Sequence, residues 1–312
     1  MVNVVYPVAI AVPPLLTGKL SRVEYVDTID DEMDGLTLTF SSMISAPGYG
    51  EKMKMWIGFG PFLTYIGTFY VAGWRERFEQ KEIEYRLTPV DLTGGIKEKR
   101  THSYEHMTLT KILEEIGGRY GLGVRNDLDD VAYPYKAQTH ESDLEFLRRL
   151  AKENNASFGI KNDTIVFRAK SLSEHKDKLP KVYLDLTQTA ELELEHMAKT
   201  DYKSAEAKYH DIGTNTLKTV KVGEGEPKLV VEGHFKMEAE AKKRAKAEME
   251  RSNAGKIRGT CTVTTAQVIA GALLTLNLFE RGVVEDLQIR EVRHEIEGGE
   301  GGGYKKHVSF TQ

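Results

Sequence analysis

Cysteine is almost missing from this chain: of 312 residues, only Cys261 is one. An intrachain disulfide is therefore excluded, as is a zinc site built on thiolates, and the composition fits a protein made in a reducing cytosol. An excess of either charge is missing too. The 43 basic and 47 acidic residues leave a net charge of -4, without the electrostatic footprint that phosphate-backbone binding needs, so nucleic acid is not an expected partner. No apolar run reaches the roughly 18 to 20 residues of a membrane span. The stretch Val268 to Phe279 is interrupted by Gly271, Thr275 and Asn277, and a soluble chain with no membrane partner is predicted. Met1 to Leu16 is apolar but has no basic leader, is broken by Pro7, Pro13 and Pro14, and reads as a mature N-terminal strand rather than a signal. What is present is 40% hydrophobic residues, enough for a sizeable core, over a length that predicts two or three domains.

The most legible stretch runs from Gln138 to Phe167. Ser142 followed three residues later by Glu145 is a capping box, in which the hydroxyl accepts a backbone N–H at the helix start and the carboxylate reaches back to the Ser142 N–H. Leu144, Leu147, Leu150 and Ala151 then fall on one helical face, with Arg148, Lys152 and Glu153 outside it. Asn154-Asn155 supplies a left-handed stop. Phe158 and Ile160 alternate as a strand, Asn162-Asp163 makes a two-residue turn, and Thr164 to Phe167 returns.

Upstream, residues 20 to 90 read as strands. Leu36, Leu38 and Phe40, then Met53, Met55, Ile57 and Phe59, then Ile83, Tyr85 and Leu87 alternate with polar residues, and Gly67 to Val71 reads as a central strand. Turn signals at Asp34-Gly35, Pro47-Gly48, Gly60-Pro61 and Gly73 suit a closed antiparallel sheet or small barrel. From Thr101 the period changes: Thr108 caps a helix carrying Leu109, Ile112, Leu113 and Ile116, and Gly121 stops it. Ser171 to Pro180 is polar and aperiodic and is taken as a linker. Strands then resume at Glu191 to Glu195, at Ala205, Ala207 and Tyr209, and from Leu217 to Val222, as a sequel to the first sheet, with Glu224 to Pro227 an exposed loop. Glu238 to Ala254 reads as a surface helix closed by Gly255. Its Lys242-Lys243-Arg244 run is offset by Glu238, Glu240, Glu248 and Glu250, the pattern of a solvated face. Strands follow at Cys261 to Thr265 and at Leu274, Leu276 and Leu278, then through an Arg281-Gly282 turn to Leu287 and Ile289. Val292, His294 and Ile296 continue in the opposite phase, which predicts a bulge near Arg290-Glu291. Gly298 to Gly303 leads to a last strand with Tyr304, Val308 and Phe310. The expected fold is α+β but mainly β: a first barrel over residues 1–100, a small α+β unit with linker over 101–180, and a second barrel with one surface helix over 181–312.

Catalytic patterns are weak. His294-Glu295 lacks the second His of a zinc-protease helix, since position 298 is Gly. Asp127, Asp129 and Asp130 lack the glycine and closing glutamate of a calcium loop. Gly298 to Gly303 is followed by no Lys-Ser/Thr, and Ser142 sits in no Gly-x-Ser-x-Gly setting. No carboxylate pair stands out for glycoside hydrolysis. No catalytic, cofactor or metal site is expected.

The run Gln138, Glu141-Ser142-Asp143-Leu144, Phe146-Leu147 and Arg149-Leu150-Ala151 resembles the tail hub family of contractile-tailed phages, the late control gene D type, whose relatives form the hub half of type VI secretion VgrG spikes. Thr108-Leu109, Ile112-Leu113, Ile116 and Gly121-Leu122 look like that family's helix, and Asp34-Gly35-Leu36 leading into Gly67 to Val71 is similar to its first barrel. Ala239 to Glu250 resembles the Ala-rich helix of its second barrel, Gly271 its turn glycine, and Leu287, Ile289, Val292 and His294 its late strand. The chain departs at Val284-Glu285-Asp286-Leu287, where a Gly-x-Tyr is usual, and its Pro-rich start has no counterpart. The resemblance implies two similar antiparallel β-barrels per chain and a non-enzymatic homotrimer whose six barrels adapt a threefold spike to a sixfold tube. It further implies a virion baseplate assembled in the host cytoplasm, with a central spike protein, a tail tube or tube-initiator protein, a tape-measure protein and a baseplate wedge as partners. The alternative reading is a tail-associated cell-wall hydrolase, which requires two facing carboxylates or a metal set. A free-standing binding module is a third, and predicts a monomer.

Overall fold

The computed structural model describes residues 7–12, 20–29, 33–41, 48–169, 176, 179–211, 214–235, 238–298 and 303–312. The expectations for Met1 to Tyr6, Pro13 to Leu16, Pro47, most of the Ser171 to Pro180 linker, and the middle of the Gly298 to Gly303 loop lie outside the described residues.

The first lobe is built from β1 (Pro7–Val12), β2 (Leu20–Thr28), β3 (Gly35–Phe40), β4 (Lys52–Phe59), β5 (Phe62–Arg77) and β6 (Glu82–Thr88). An insert follows: β7 (Lys99–Thr108), α1 (Leu109–Arg119), β8 (Gly123–Asn126), β9 (Ala132–Ser142), α2 (Asp143–Glu153), β10 (Ala156–Lys161) and β11 (Thr164–Ala169). The rest comprises β12 (Lys181–Asp185), β13 (Ala190–His196), β14 (Ser204–Asp211), β15 (Thr216–Gly223), β16 (Lys228–Phe235), α3 (Glu238–Asn253), β17 (Ile257–Val263), β18 (Leu273–Asn277), β19 (Val283–Glu297) and β20 (Tyr304–Thr311).

Strand pairing orders the first lobe as β1-β4-β5-β6-β3-β2 and the second as β12-β18-β19-β20-β17-β13. Numbered by order along each lobe, both read 1-4-5-6-3-2. The two lobes are joined into one sheet by antiparallel pairing of β2 with β19. The repeat extends to irregularities. β5 shifts register against β6 between Val71 and Gly73, and β19 shifts against β20 between Ile289 and Glu291, each by one bulged residue, Ala72 and Arg290. Just before each bulge the same two bonds recur. Gly50 N donates to Val71 O and Val71 N to Glu51 O, both at 2.9 Å; Gly271 N donates to Ile289 O at 2.8 Å and Ile289 N to Ala272 O at 2.9 Å. Gly50 and Gly271 hold φ of 74° and 88°, a left-handed backbone that glycine adopts without a Cβ penalty. One pairing differs: β1 is antiparallel to β4, whereas β12 is parallel to β18.

Period-two alternation fills each core as the pattern predicts. Leu36, Leu38, Phe40, Met53, Met55, Ile57, Phe69, Ile83, Tyr85 and Leu87 are buried together in lobe 1; Leu184, Cys261, Val263, Leu274, Leu276, Leu287, Ile289, Val292, Val308 and Phe310 in lobe 2. Each such large side chain contributes about 1.5–3 kcal/mol on burial.

Three expectations need correction. Gly73 lies inside β5 next to the bulge, because a bulge can use a glycine as readily as a turn can. The paired strands form an open path that branches at β19, where β18 and β12 leave it, and no closed ring of strands occurs among the described residues. The strand with Ala205, Ala207 and Tyr209 does not extend the main sheet. It is the centre of a separate sheet, β15-β14-β16, and α3 packs Ala241 and Ala245 against it in a core of its own. The insert likewise has its own core, from Leu109, Ile112, Leu147, Phe158 and Phe167 among others.

Candidate functional site at the junction of the lobes and insert

The insert is held by α2. The Ser142 hydroxyl accepts the Glu145 N–H at 3.2 Å and the Glu145 carboxylate accepts the Ser142 N–H at 2.8 Å, completing the capping box. That backbone bond, with the hydroxyl's own, lowers the Glu145 pKa. Asp143, the first helical residue, is buried. It accepts from Arg119 Nη1 at 3.1 Å on both oxygens, from Tyr120 Oη at 2.6 Å and from Gln138 Nε2 at 2.8 Å, with Arg100 Nε at 3.6 Å. Burial favours the neutral acid, but the hydrogen bonds from Tyr120 and Gln138 and the charges of Arg119 and Arg100 together hold its pKa below the usual carboxylate value. One carboxylate thus ties the end of α1, the start of α2 and both strands of the β7–β9 ribbon. Leu144, Phe146, Leu147 and Leu150 point into the core beneath, where Tyr104 stacks on Phe146 with ring centroids 5.3 Å apart. Thr108 caps α1 by accepting the Lys111 N–H at 3.4 Å, Leu109 and Ile112 are buried, and Gly121 follows the helix with φ of 66°. Of the residues that carry the resemblance, Thr108, Leu109, Ile112, Gly121, Ser142, Asp143, Leu144, Phe146, Leu147 and Leu150 are among those that gather here.

Gly271, Val292 and His294 belong to lobe 2, where Gly271 and His294 border the place at which all three units meet. Lys161 closes β10, before the Asn162-Asp163 turn whose φ values of 48° and 55° fit a two-residue hairpin. Its ammonium bonds the Asp27 carboxylate and lies 3.3 Å from Asp34. Asp27, on β2, also accepts the Ala270 N–H of lobe 2 at 2.8 Å. Asp34 accepts from Tyr25 Oη at 3.0 Å and from the Thr28 N–H at 3.3 Å. Burial outweighs the neighbouring ammonium and pushes Asp34 up to about 6. Burial also works against the charge on Lys161, but the two carboxylates more than offset it and its pKa rises.

Gly271 follows Ala270. A Cβ there would meet Arg168 Nη1 of the insert at 2.7 Å. His294, on β19, is buried beside Tyr25, with ring centroids 5.3 Å apart, and its Nδ1 lies 2.6 Å from Tyr304 Oη. Desolvation lowers its pKa to about 4, against the attraction of Asp27. Val292, two residues before it on the same face, is fully buried.

These arrangements fasten backbone elements together. Among the described residues, no group of three or more His, Cys, Asp or Glu is placed to hold a metal ion. Asp127 pairs with Arg125 at 2.9 Å, and Asp130 accepts the Thr110 N–H at 2.8 Å. Cys261 is buried and its thiol is pushed up to about 11 by desolvation. A cleft of about 990 Å³ beside β13, β17 and the end of α3 is lined by Glu193, Glu195 and Glu250 against Arg251, Arg258 and Arg290. Sequence reasoning missed Arg100, Arg119 and Tyr120 around Asp143, and the whole Asp27–Asp34–Lys161 set. Gly50 carries a detectable signal only once it is aligned with Gly271 through the repeat.

A family model described as phage tail baseplate hub (GPD) matches residues 65–300. A protein of Escherichia phage 186 described as "Probable baseplate hub protein" is 27% identical over 155 residues, covering 49% of this chain and 39% of that relative. The chain therefore matches well under half of that relative's length. Among solved structures, a 43 kDa tail protein of prophage MuSo2 from Shewanella oneidensis matches with a TM-score of 0.70 and 18% identity, covering 98% of each chain. An E. coli type VI secretion component, described as similar to the T4 bacteriophage tail proteins gp27 and gp5, matches with a TM-score of 0.60 and 12% identity, covering 97% of this chain and 76% of its own. At these identities the structural likenesses establish the fold alone. With a family model spanning most of its length, the chain belongs to the phage tail baseplate hub (GPD) family.

Proposed function

We propose that this hub protein works as a homotrimer in which residues 1–100 and 181–312 act as two similar barrel-like bodies, so that three chains form a pseudo-sixfold ring. One face of the ring takes a threefold central spike and the other a sixfold tail tube or tube initiator, with a tape-measure protein and baseplate wedge as further neighbours. Its place is the virion tail baseplate, and its role is structural rather than enzymatic. The insert, residues 101–180, is a rigid bracket braced by its Asp143 network and its Thr108 and Ser142 caps.

The observation that carries this reading is the repeated 1-4-5-6-3-2 strand order, with its bulge and its glycine in matching positions. Two bodies of one topology in one chain are what a threefold-to-sixfold adaptor requires. The path of strands also ends at β1 and β13, and open edges of this kind are commonly covered by neighbours. Mass measurement in solution, followed by imaging of the particles, tests it. The expected result is a trimer with a central opening, or a monomer that becomes one when the spike is added. A stable dimer without an opening, or a monomer unaffected by spike, overturns it. Clearing of purified cell wall that is lost on replacing one acidic residue would overturn the structural role.

A further inference from the structure

The join between the lobes shows how one such body meets the next. In lobe 2, β19 leaves β18 at Ile289. Past the bulge at Arg290 its vacated side is taken by β2, in register from Glu291 opposite Thr28 to Glu297 opposite Arg22. In lobe 1, β5 leaves β4 at Val71 through the same pair of backbone bonds and passes its bulge at Ala72. On the corresponding side of Gly73 to Arg77, no strand pairs among the described residues. The counterpart of β2 in lobe 2 is β13, and β17 is the one strand paired with it among the described residues. Each chain thus presents one half of the same junction at each end.

We infer that β13 of one copy pairs antiparallel with the Gly73–Arg77 stretch of β5 in a second copy, reproducing between chains the β2–β19 junction within the chain. The inference rests on the trimeric reading and specifies its contact. The register follows from the repeat. Glu24 faces Thr37 on β3, and Glu193 faces Thr260 on β17; Tyr25 faces Leu36, and Leu194 faces Gly259. The bulges set Arg75 equivalent to Arg293 and Arg77 equivalent to Glu295. Since Arg293 lies opposite Val26 and Glu295 opposite Glu24, Arg75 comes opposite Glu195 of the second copy and Arg77 opposite its Glu193.

Charge supports this register. On the outer face of the junction within the chain, Arg22 meets Glu295 at 2.5 Å and Arg293 lies 3.7 Å from Glu24. Between chains the same face carries arginines on β5 and carboxylates on β13. Opposite charges across a strand pair are stabilising and like charges are not. Pairing β5 with β5, or β13 with β13, would align like charges, so the sorted signs select the head-to-tail contact. A head-to-tail contact closes a ring when the rotation between copies is a whole fraction of a turn, as the trimeric reading has it. Trp74 comes opposite His196, which places the exposed Tyr49, stacked on Trp74 with ring centroids 4.8 Å apart, beside the incoming strand. Arg77 is already engaged by Glu82 and Glu84 at 3.4 and 2.9 Å, which makes Arg75 and Glu195 the cleaner pair to test.

The test is a disulfide trap in the full chain. With Cys261→Ala as background, Arg75→Cys combined with Glu195→Cys places the two thiols on directly opposed residues, within the Cα separation a disulfide accepts. Mild oxidation is expected to yield covalent dimers and trimers on a non-reducing gel, whereas either cysteine alone, or Arg75→Cys with the out-of-register Glu191→Cys, yields far less. In parallel, Arg75→Glu and Glu195→Arg are each expected to weaken assembly about tenfold, with the combination restoring it. A trimer by mass in which the trap stays silent and the reversals do nothing overturns the strand pairing and leaves the trimer standing. No trimer with or without spike, and no trapping, overturns both.

Discussion

The two lobes follow one path and are filled differently. Lobe 1 packs aromatics and methionines, Tyr25, Phe40, Phe69, Tyr85, Met53 and Met55, whereas lobe 2 packs mostly aliphatics, Leu274, Leu276, Leu287, Ile289 and Val292, with Phe310. Between its second and third strands lobe 1 has only a short connection, while lobe 2 carries the whole β14–β16 and α3 unit at that point. What the lobes share is therefore not side-chain identity but backbone register: a bulge one residue after the strand changes neighbours, and a left-handed glycine feeding it. Core composition tolerates exchange so long as volume and pattern hold, whereas a register slip turns every side chain to the wrong face.

The sharpest way to break the comparison is to damage one lobe and read the other. Both tryptophans, Trp56 and Trp74, lie in lobe 1, on β4 and β5. Phe310→Ala in lobe 2 is expected to cost about 3–5 kcal/mol. If the β2–β19 join makes the lobes one cooperative unit, the urea midpoint seen by tryptophan fluorescence falls together with that seen by far-UV circular dichroism. A fluorescence midpoint that stays put would show two independent bodies. The insert offers a contrast, since its core is separate. Asp143→Ala leaves the Arg119 and Arg100 guanidiniums without their buried carboxylate and is expected to cost about 2–4 kcal/mol. Hydrogen exchange should report the loss as faster exchange over residues 99–169, with the lobe amides little changed.

The smallest effect sharpens the comparison at the junction itself. The neutral imidazole of His294 is favoured in the folded protein, so its contribution is present above the ordinary histidine pKa of 6.5 and is lost as pH falls through about 4. Asp34 has the opposite sign. Its raised pKa means the folded state holds the proton, a contribution present below 3.8 and lost as pH rises through about 6. Between pH 4 and 6 the two slopes oppose one another. Thermal unfolding across that range should therefore give Asp34→Asn a steeper loss of stability on acidification than the parent, and His294→Gln a shallower one. Parallel slopes for all three proteins would show that neither group titrates as its surroundings dictate.

What the sequence disclosed was local chemistry. The Ser142–Glu145 capping box, the left-handed Asn155, the Asn162-Asp163 turn and the phase slip at Arg290 each lie within a few residues and need no distant partner. Strands with little apolar content escaped notice. β7, KRTHSYEHMT, buries only Tyr104 fully, and its pairing with β9 is invisible to a hydrophobic pattern. Ala205, Ala207 and Tyr209 announced a strand but not its sheet, because sheet membership is decided by residues far along the chain. The Asp27–Lys161 bond joins residues separated by 134 positions, and no local motif encodes it.

The β2–β19 pairing has a consequence for biosynthesis. Among the described residues, the flank of β2 that faces away from β3 is covered by residues 291–297, which are translated long after β2 itself. During translation the first lobe must therefore wait with an unsatisfied flank, exposed to other nascent chains on the same messenger. Truncated products that stop short of β19 should then be sticky rather than merely inactive.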